Sequence, residues 1–294
     1  MSALKFLCES PSTLDHLDSA GAISVLANFL AVKIMPSRRT NELLDELRDL
    51  SQDLRSDALT SLWHLLRQNP PRQDKAVAAG VLPALKNAAV DLPNVRAFAL
   101  RLLCDMACAS DFTRLKMWQE GMLDVLLDLV AGSEAYWQTC AMTAIAQWAV
   151  HATPDVERAL LRPSALKKLV VVFLSARAEA FELVVAALLT MLSASRKLRE
   201  AMGRAGLFVA ELSLRLVFPK PEVQISLLKM LALVCDAHPD VEALLLDHNL
   251  VVALGRVSKV AKQGKQVVVV GMCEDLAAKW TARLGVDSLG QSFA

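Results

Sequence analysis

A short break motif recurs at an almost constant interval along this chain, and it limits the possible folds more than any other feature. Six segments align without gaps: Gly21-Ala-Ile-Ser-Val-Leu26, Gly80-Val-Leu-Pro-Ala-Leu85, Gly121-Met-Leu-Asp-Val-Leu126, Ser164-Ala-Leu-Lys-Lys-Leu169, Gly206-Leu-Phe-Val-Ala-Glu-Leu212 and Asn249-Leu-Val-Val-Ala-Leu254. From residue 80 the punctuating position returns at 121, 164, 206 and 249, at intervals of 41–43 residues. The interval from 21 to 80 is longer by about 17 residues, an insertion into an otherwise regular period. A fixed period of this length marks a stack of like supersecondary units, none able to bury its apolar face alone.

A second register runs in phase with the first. Ten residues before three of these positions stands a proline, Pro70, Pro154 or Pro239, and the equivalents elsewhere are Asp111 and Arg196. Proline cannot continue a helix and disfavours helix in the residue before it. Each unit therefore breaks twice, which predicts three helices. A short first helix, such as Asp155 to Leu161, ends at a Gly or Asn able to adopt the left-handed conformation. A second follows at once, as in Met122 to Leu129. The third is longer, as in Val95 to Ala107, where Val95, Ala99, Leu102, Leu103 and Met106 form one apolar stripe. Leu54, Ala58, Leu62 and Leu65 repeat the stripe in the first unit, and Ala141, Ile145 and Trp148 repeat it in the third. The expected fold is an all-α, right-handed solenoid of about six repeats over residues 1–285. A capping helix is expected over about 266–284 and a disordered tail over 286–294. The insertion, about 33–51, reads as a loop at Pro36 to Thr40 and then a helix from Glu42 to Leu50 with Asn41 as its cap. That segment is expected either to lengthen the second helix of the first unit or to form an extra amphipathic helix for docking a partner.

Composition excludes several function classes. Apolar residues make up 54% of the chain, an excess carried by Leu, Ala and Val that suits packed helices. No apolar run approaches the roughly 20 residues of a membrane span, and Met1 to Ser10 lacks the apolar stretch of a signal peptide. A net charge of +1 argues against a nucleic-acid partner. The six cysteines form no Cys-x-x-Cys pair, and Cys104 and Cys108 are expected to fill a reduced core. A cytoplasmic or nuclear location follows. The five histidines show no metal-binding spacing, no nucleophile elbow is present, and no cofactor is expected. His238-Pro239-Asp240 occupies the same break as Asn69-Pro70-Pro71, so Asp240 is read as a helix cap.

The Gly-x-Leu-Pro-x-Leu segment followed by Val-x-x-x-Ala-x-x-x-Leu resembles the armadillo repeat. A narrower resemblance is carried by Leu102 to Ser110, Gly121 to Val125, Tyr136-Trp137, Val156 to Leu161, Leu227-Leu-Lys229 and Ala237 to Asp240. In that order and spacing these strings look like the C-terminal armadillo region of the MAP kinase kinase kinase epsilon and septation-initiation (mitotic-exit) kinases, over roughly residues 50–285. The chain itself carries no glycine-rich phosphate loop, Val-Ala-Ile-Lys strand, His-Arg-Asp or Asp-Phe-Gly. The resemblance implies a non-catalytic targeting and scaffold region of a serine/threonine kinase. It would bind an upstream small GTPase or scaffold of cytokinesis, self-associate as a homodimer, and reach a spindle pole or division site through partners. A chaperone nucleotide exchange factor of armadillo type is the alternative.

Armadillo proteins that bind extended peptides carry an Asn on each third helix and a Trp four residues earlier. The equivalents here are His64, Asp105, Gln147, Thr190 and Leu233, preceded by Thr60, Arg101, Thr143, Ala186 and Lys229, so neither ladder is kept. A binding groove would rely instead on His64, Arg101, Asp105, Gln147 and Lys229. Lys167, Lys168, Arg196, Lys197, Arg199 and Arg204 form a basic cluster suited to an acidic partner. Trp63, Trp118, Trp137, Trp148 and Trp280 read as packing residues.

Overall fold

The periodic apolar stripes are realised as helices throughout. A computed structural model describes residues 1–31, 42–91, 95–151, 153–218 and 220–284, and among them every regular element is helical, with no strand. The chain divides into two compact units, Met1–Leu126 and Leu127–Ala294, each described by itself.

In the first unit α1 (Ser2–Glu9) and a 3-10 turn (Pro11–Thr13) precede α2 (Leu14–Ser19), α3 (Ala22–Ala31) and α4 (Glu42–Leu66). They are followed by α5 (Pro70–Ala78), α6 (Leu82–Asp91), α7 (Arg96–Ala107) and α8 (Asp111–Gln119). The division falls inside α9 (Met122–Val130). The second unit continues with α10 (Ala135–Val150), α11 (Pro154–Leu160), α12 (Pro163–Ser175), α13 (Ala178–Ala194), α14 (Arg196–Gly203) and α15 (Gly206–Arg215). It ends with α16 (Pro221–Ala237), α17 (Val241–Asp247), α18 (Leu250–Gln263) and α19 (Val267–Arg283). From α2 onward the helices group into triplets, the short–medium–long order the two breaks require. In the first unit α4 packs on α7 and α3 on α6; in the second, α10, α13, α16 and α19 form a row of third helices, and α12, α15 and α18 a row of second helices.

The periodic caps are explicit. Asn69, Ser110, Thr153, Ser195 and Asp240 each cap a first helix, their side-chain oxygens accepting from the backbone N–H three residues on at 3.0–3.4 Å. Asp240 is thus a helix cap, as its register requires. Gly21, Gly80 and Gly121 have φ of +79°, +81° and +68°, and Asn249 of +49°, so each turns the chain between first and second helix in the left-handed region. At the fourth triplet Pro163 starts α12 instead, and no left-handed residue is needed.

A second periodic device ties neighbouring repeats within each unit. An acid on one first helix binds side chains of the next first helix. Asp18 accepts from Lys75 at 2.8 Å, Asp74 from Thr113 at 2.7 Å and from Ser110, and Glu157 from Ser195 at 2.7 Å and Lys197 at 2.9 Å. The apolar core is aliphatic, with an aromatic node in the second unit: Phe173 on α12 lies 4.9 Å from Phe208 on α15 and 5.6 Å from Phe181 on α13, centroid to centroid. Arg215 of α15 crosses this node, its guanidinium 4.3 Å from the Phe181 ring, and donates to the Leu174 and Ala176 carbonyls at the end of α12.

Two expectations need correction, on residues 42–50 and on Cys108. Residues 42–50 neither lengthen the second helix nor stand as a separate helix. They extend the third helix of the first triplet into one 25-residue α4, because no Gly or Pro separates Leu50 from Leu54. The expected loop at 36–40 and cap at Asn41 lie outside the described residues, as does the tail 286–294. The expected terminal helix is present as α19 and takes the third-helix place of the sixth triplet. Cys104 is buried but Cys108 is exposed, since α7 ends at Ala107 and leaves Cys108 at the helix cap.

Candidate binding surface

The predicted groove residues fall on third helices. In the first unit His64 lies near the end of α4, and Arg101 and Asp105 lie one turn apart on α7. Arg101 Nε sits 3.3 Å from Asp105 Oδ1. Burial pushes the Asp105 carboxyl above its usual range, and the Arg101 charge pulls the other way. Burial, reinforced by the Arg67 charge, holds the half-buried His64 imidazole below its usual value against the opposing pull of Glu9.

A half-buried aromatic ridge lies beside these residues. Trp63 stacks edge-on to His64 at 4.8 Å and lies 5.3 Å from Phe98 of α7, and the Arg67 guanidinium sits 4.9 Å from the Trp63 ring. Trp63 and Phe98 stand near the ladder positions on consecutive third helices, and Trp63 reads from sequence as core or ridge packing. Trp118 and Trp137 are half-buried, and Trp148 and Trp280 are buried.

In the second unit Gln147 on α10 and Lys229 on α16 are both exposed, and α13 lies between them, contributing exposed Ala186 and half-buried Thr190. Gln147 and Lys229 are therefore not brought into contact. They sit on one row of third helices whose exposed positions are chemically mixed, without the repeated amide that would read out an extended backbone at fixed spacing.

The basic cluster is partly compensated. Lys168 Nζ lies 2.7 Å from Asp128, Lys197 Nζ 2.9 Å from Glu157, and Arg204 2.6 Å from Glu200. Arg199 donates to the Ser195 carbonyl at 3.4 Å. Lys167 and Arg196 are exposed. Lys197 and Ser195 together hold the Glu157 carboxyl below the usual carboxylate range. Among the described residues no group of three or more His, Cys, Asp or Glu side chains is arranged to hold a metal.

No protein-family model matches the chain. Curated relatives do. The chain is 28% identical over 85% of its length to cytokinesis protein sepH of Aspergillus terreus, and 28% identical over 92% to MAP3K epsilon protein kinase 2 of Arabidopsis thaliana. Over 53% of its length it is 28% identical to cell division control protein 7 of Schizosaccharomyces pombe. The chain is thus similar to proteins named for cytokinesis, for cell division control and as MAP3K epsilon kinases. It spans about a fifth of the length of these relatives, 18% of sepH and 19% of the MAP3K epsilon kinase. Solved structures agree on the fold. A computationally designed armadillo repeat protein for modular peptide recognition superposes with a TM-score of 0.61 at 21% identity, covering 79% of this chain and 92% of that one. An engineered protein covers 99% of this chain and 81% of its own, with a TM-score of 0.64 at 19% identity. The fold is thus an all-α armadillo-type repeat.

Proposed function

We propose that this chain is a non-catalytic protein-binding module of cytokinesis signalling, acting as the targeting and regulatory region of a septation-type serine/threonine kinase. It binds an upstream small GTPase or scaffold protein of that pathway through its third-helix residues, and it associates with a second copy of itself. One observation carries the reading: the similarity to cytokinesis kinases spans 85–92% of a chain whose armadillo-type repeats leave a mixed polar row of third-helix side chains exposed. The row's varied chemistry, Gln147, Thr190 and Lys229 in place of repeated amides, suits a folded partner better than a uniform extended peptide. The designed relatives were built for modular peptide recognition, and protein ligands are the class such surfaces take.

The test is a pull-down of the purified chain against a septation-type GTPase loaded with GDP or with a GTP analogue, and against a differently tagged copy of the chain. Retention of the GTPase in one nucleotide state supports the partner assignment. Retention in neither state removes it, and a strictly monomeric chain removes self-association.

A further inference from the structure

The three second helices of the second unit carry an unusual composition. Within α12 (163–175), α15 (206–215) and α18 (250–263) the only acid is Glu211, whereas the bases are Lys167, Lys168, Arg215, Arg256, Lys259 and Lys262, and Lys265 follows α18. Glu211 is spent internally, paired with Arg215 at 2.5 Å. Lys168 is paired with Asp128 and Lys262 with Glu274. Lys167, Arg256, Lys259 and Lys265 are exposed and have no carboxylate partner among the described residues.

These helices share one outward surface. The middle helix α15 packs against α12 on one side and α18 on the other. Each is covered from within by a third helix, α13, α16 or α19. What remains open on each is a single stripe at helical spacing. On α12 it contains Lys167 and Val171, and on α15 Leu207 and Leu214, with exposed Val217 in the turn just beyond its end. On α18 it contains Val252, Arg256, Lys259 and Val260. The two leucines of α15 are strongly exposed, Leu207 at 73% and Leu214 at 68%, and the valines of α12 and α18 are about half exposed. Open aliphatics on three adjacent helices, with unpaired bases on α12 and α18, form a patch that isolated surface leucines do not.

We propose that this face docks on an anionic lipid surface. Its charge is complementary to acidic headgroups, and its aliphatic side chains are placed to enter the headgroup–acyl boundary between the bases that hold them there. The aliphatics are spread over three parallel helices and do not line one channel, which suits a two-dimensional partner better than a single peptide or helix. No helix crosses the bilayer in this mode; among the described residues no single helix is long and apolar enough to do so. The surface is separate from the third-helix row proposed for the protein partner, so a kinase region could hold its partner while resting on a membrane.

The test uses the purified chain with phosphatidylcholine vesicles, with and without phosphatidylserine, followed by co-sedimentation at low and high salt. Binding is expected only with phosphatidylserine, weakening as salt rises. Lys167→Glu/Arg256→Glu/Lys259→Glu is expected to lower vesicle binding by at least about tenfold. Leu207→Ser/Leu214→Ser is expected to lower it while leaving the helical circular dichroism spectrum unchanged, since both residues are exposed. No sedimentation with phosphatidylserine vesicles overturns the proposal, as does sedimentation unaffected by either variant. So does an outcome in which the wild type ignores vesicles but retains polyglutamate and loses it on charge reversal, which assigns the face to an acidic protein. The GTPase pull-down is read separately, so failure here leaves the partner assignment standing.

Discussion

Truncating Phe173 to Ala tests how the repeats of the second unit are held together. Its ring is fully buried on α12 and touches Phe208 of the following repeat and Phe181 of its own, while Arg215 of that following repeat lies over the node. Emptying this site costs about 3–5 kcal/mol, because the tight surroundings close only in part around a lost ring. Phe173→Leu keeps most of the volume but loses the ring contacts and should cost about 1–2 kcal/mol. Urea denaturation followed by circular dichroism reads both, with the slope unchanged if only stability is altered. Since Phe173 and Phe208 border the same space, Phe173→Ala/Phe208→Ala should be non-additive by about 1 kcal/mol. A Phe173→Ala cost below about 1 kcal/mol, or strict additivity in the pair, would refute the inter-repeat packing.

Other outcomes follow from the same geometry. Trp148, 2% exposed on α10, should cost about 3–5 kcal/mol as Trp148→Ala in the same urea assay. Glu157, held below the usual carboxylate range by Lys197 and Ser195, contributes stability that is present above the unfolded value of about 4.3 and lost as pH falls through the lower folded value. Glu157→Gln should therefore flatten the acid limb of a stability–pH curve, and an unchanged limb would contradict the tie. Burial, aided by Asp236, pushes the Cys235 thiol up to about 12, and burial, aided by Glu274, pushes Cys273 up to about 11. Their contribution is intact below the unfolded thiol value of about 8.5 and is lost as pH rises towards those folded values. Stability should fall above about pH 9, and Ellman's reagent on the native protein should label exposed Cys108 well before Cys235 or Cys273.

Much of the architecture was legible because its signals are local and repeated. A polar cap at 69, 110, 153, 195 and 240 and a left-handed residue at 80, 121 and 249 are backbone requirements that sequence states directly. The continuity of α4 was not, because the change of period near 33–51 drew attention to a break, whereas the residues after Leu50 contain nothing that stops a helix. The exposure of Cys108 depended on α7 ending at Ala107, and helix ends are weakly encoded. The binding surface was less legible for a different reason. Residues such as Lys168 and Lys197 look free in sequence, but their partners Asp128 and Glu157 lie 40 positions away and meet them only through stacking. Conversely, Leu207 and Leu214 look like core residues in a string where apolar positions dominate, and only the packing of α15 shows that they face outward.

The measurement that bears most directly on the proposed role is a calorimetric titration of a GTP-analogue-loaded septation-type GTPase into the wild-type chain and into Gln147→Arg/Lys229→Glu. Both residues are exposed on the third-helix row, so the variant should fold as the wild type does. The wild type should bind saturably and the variant at least about tenfold more weakly, a difference of about 1.4 kcal/mol. Equal affinity for both proteins would move the partner off this face, and no heat of binding with either would contradict the role itself.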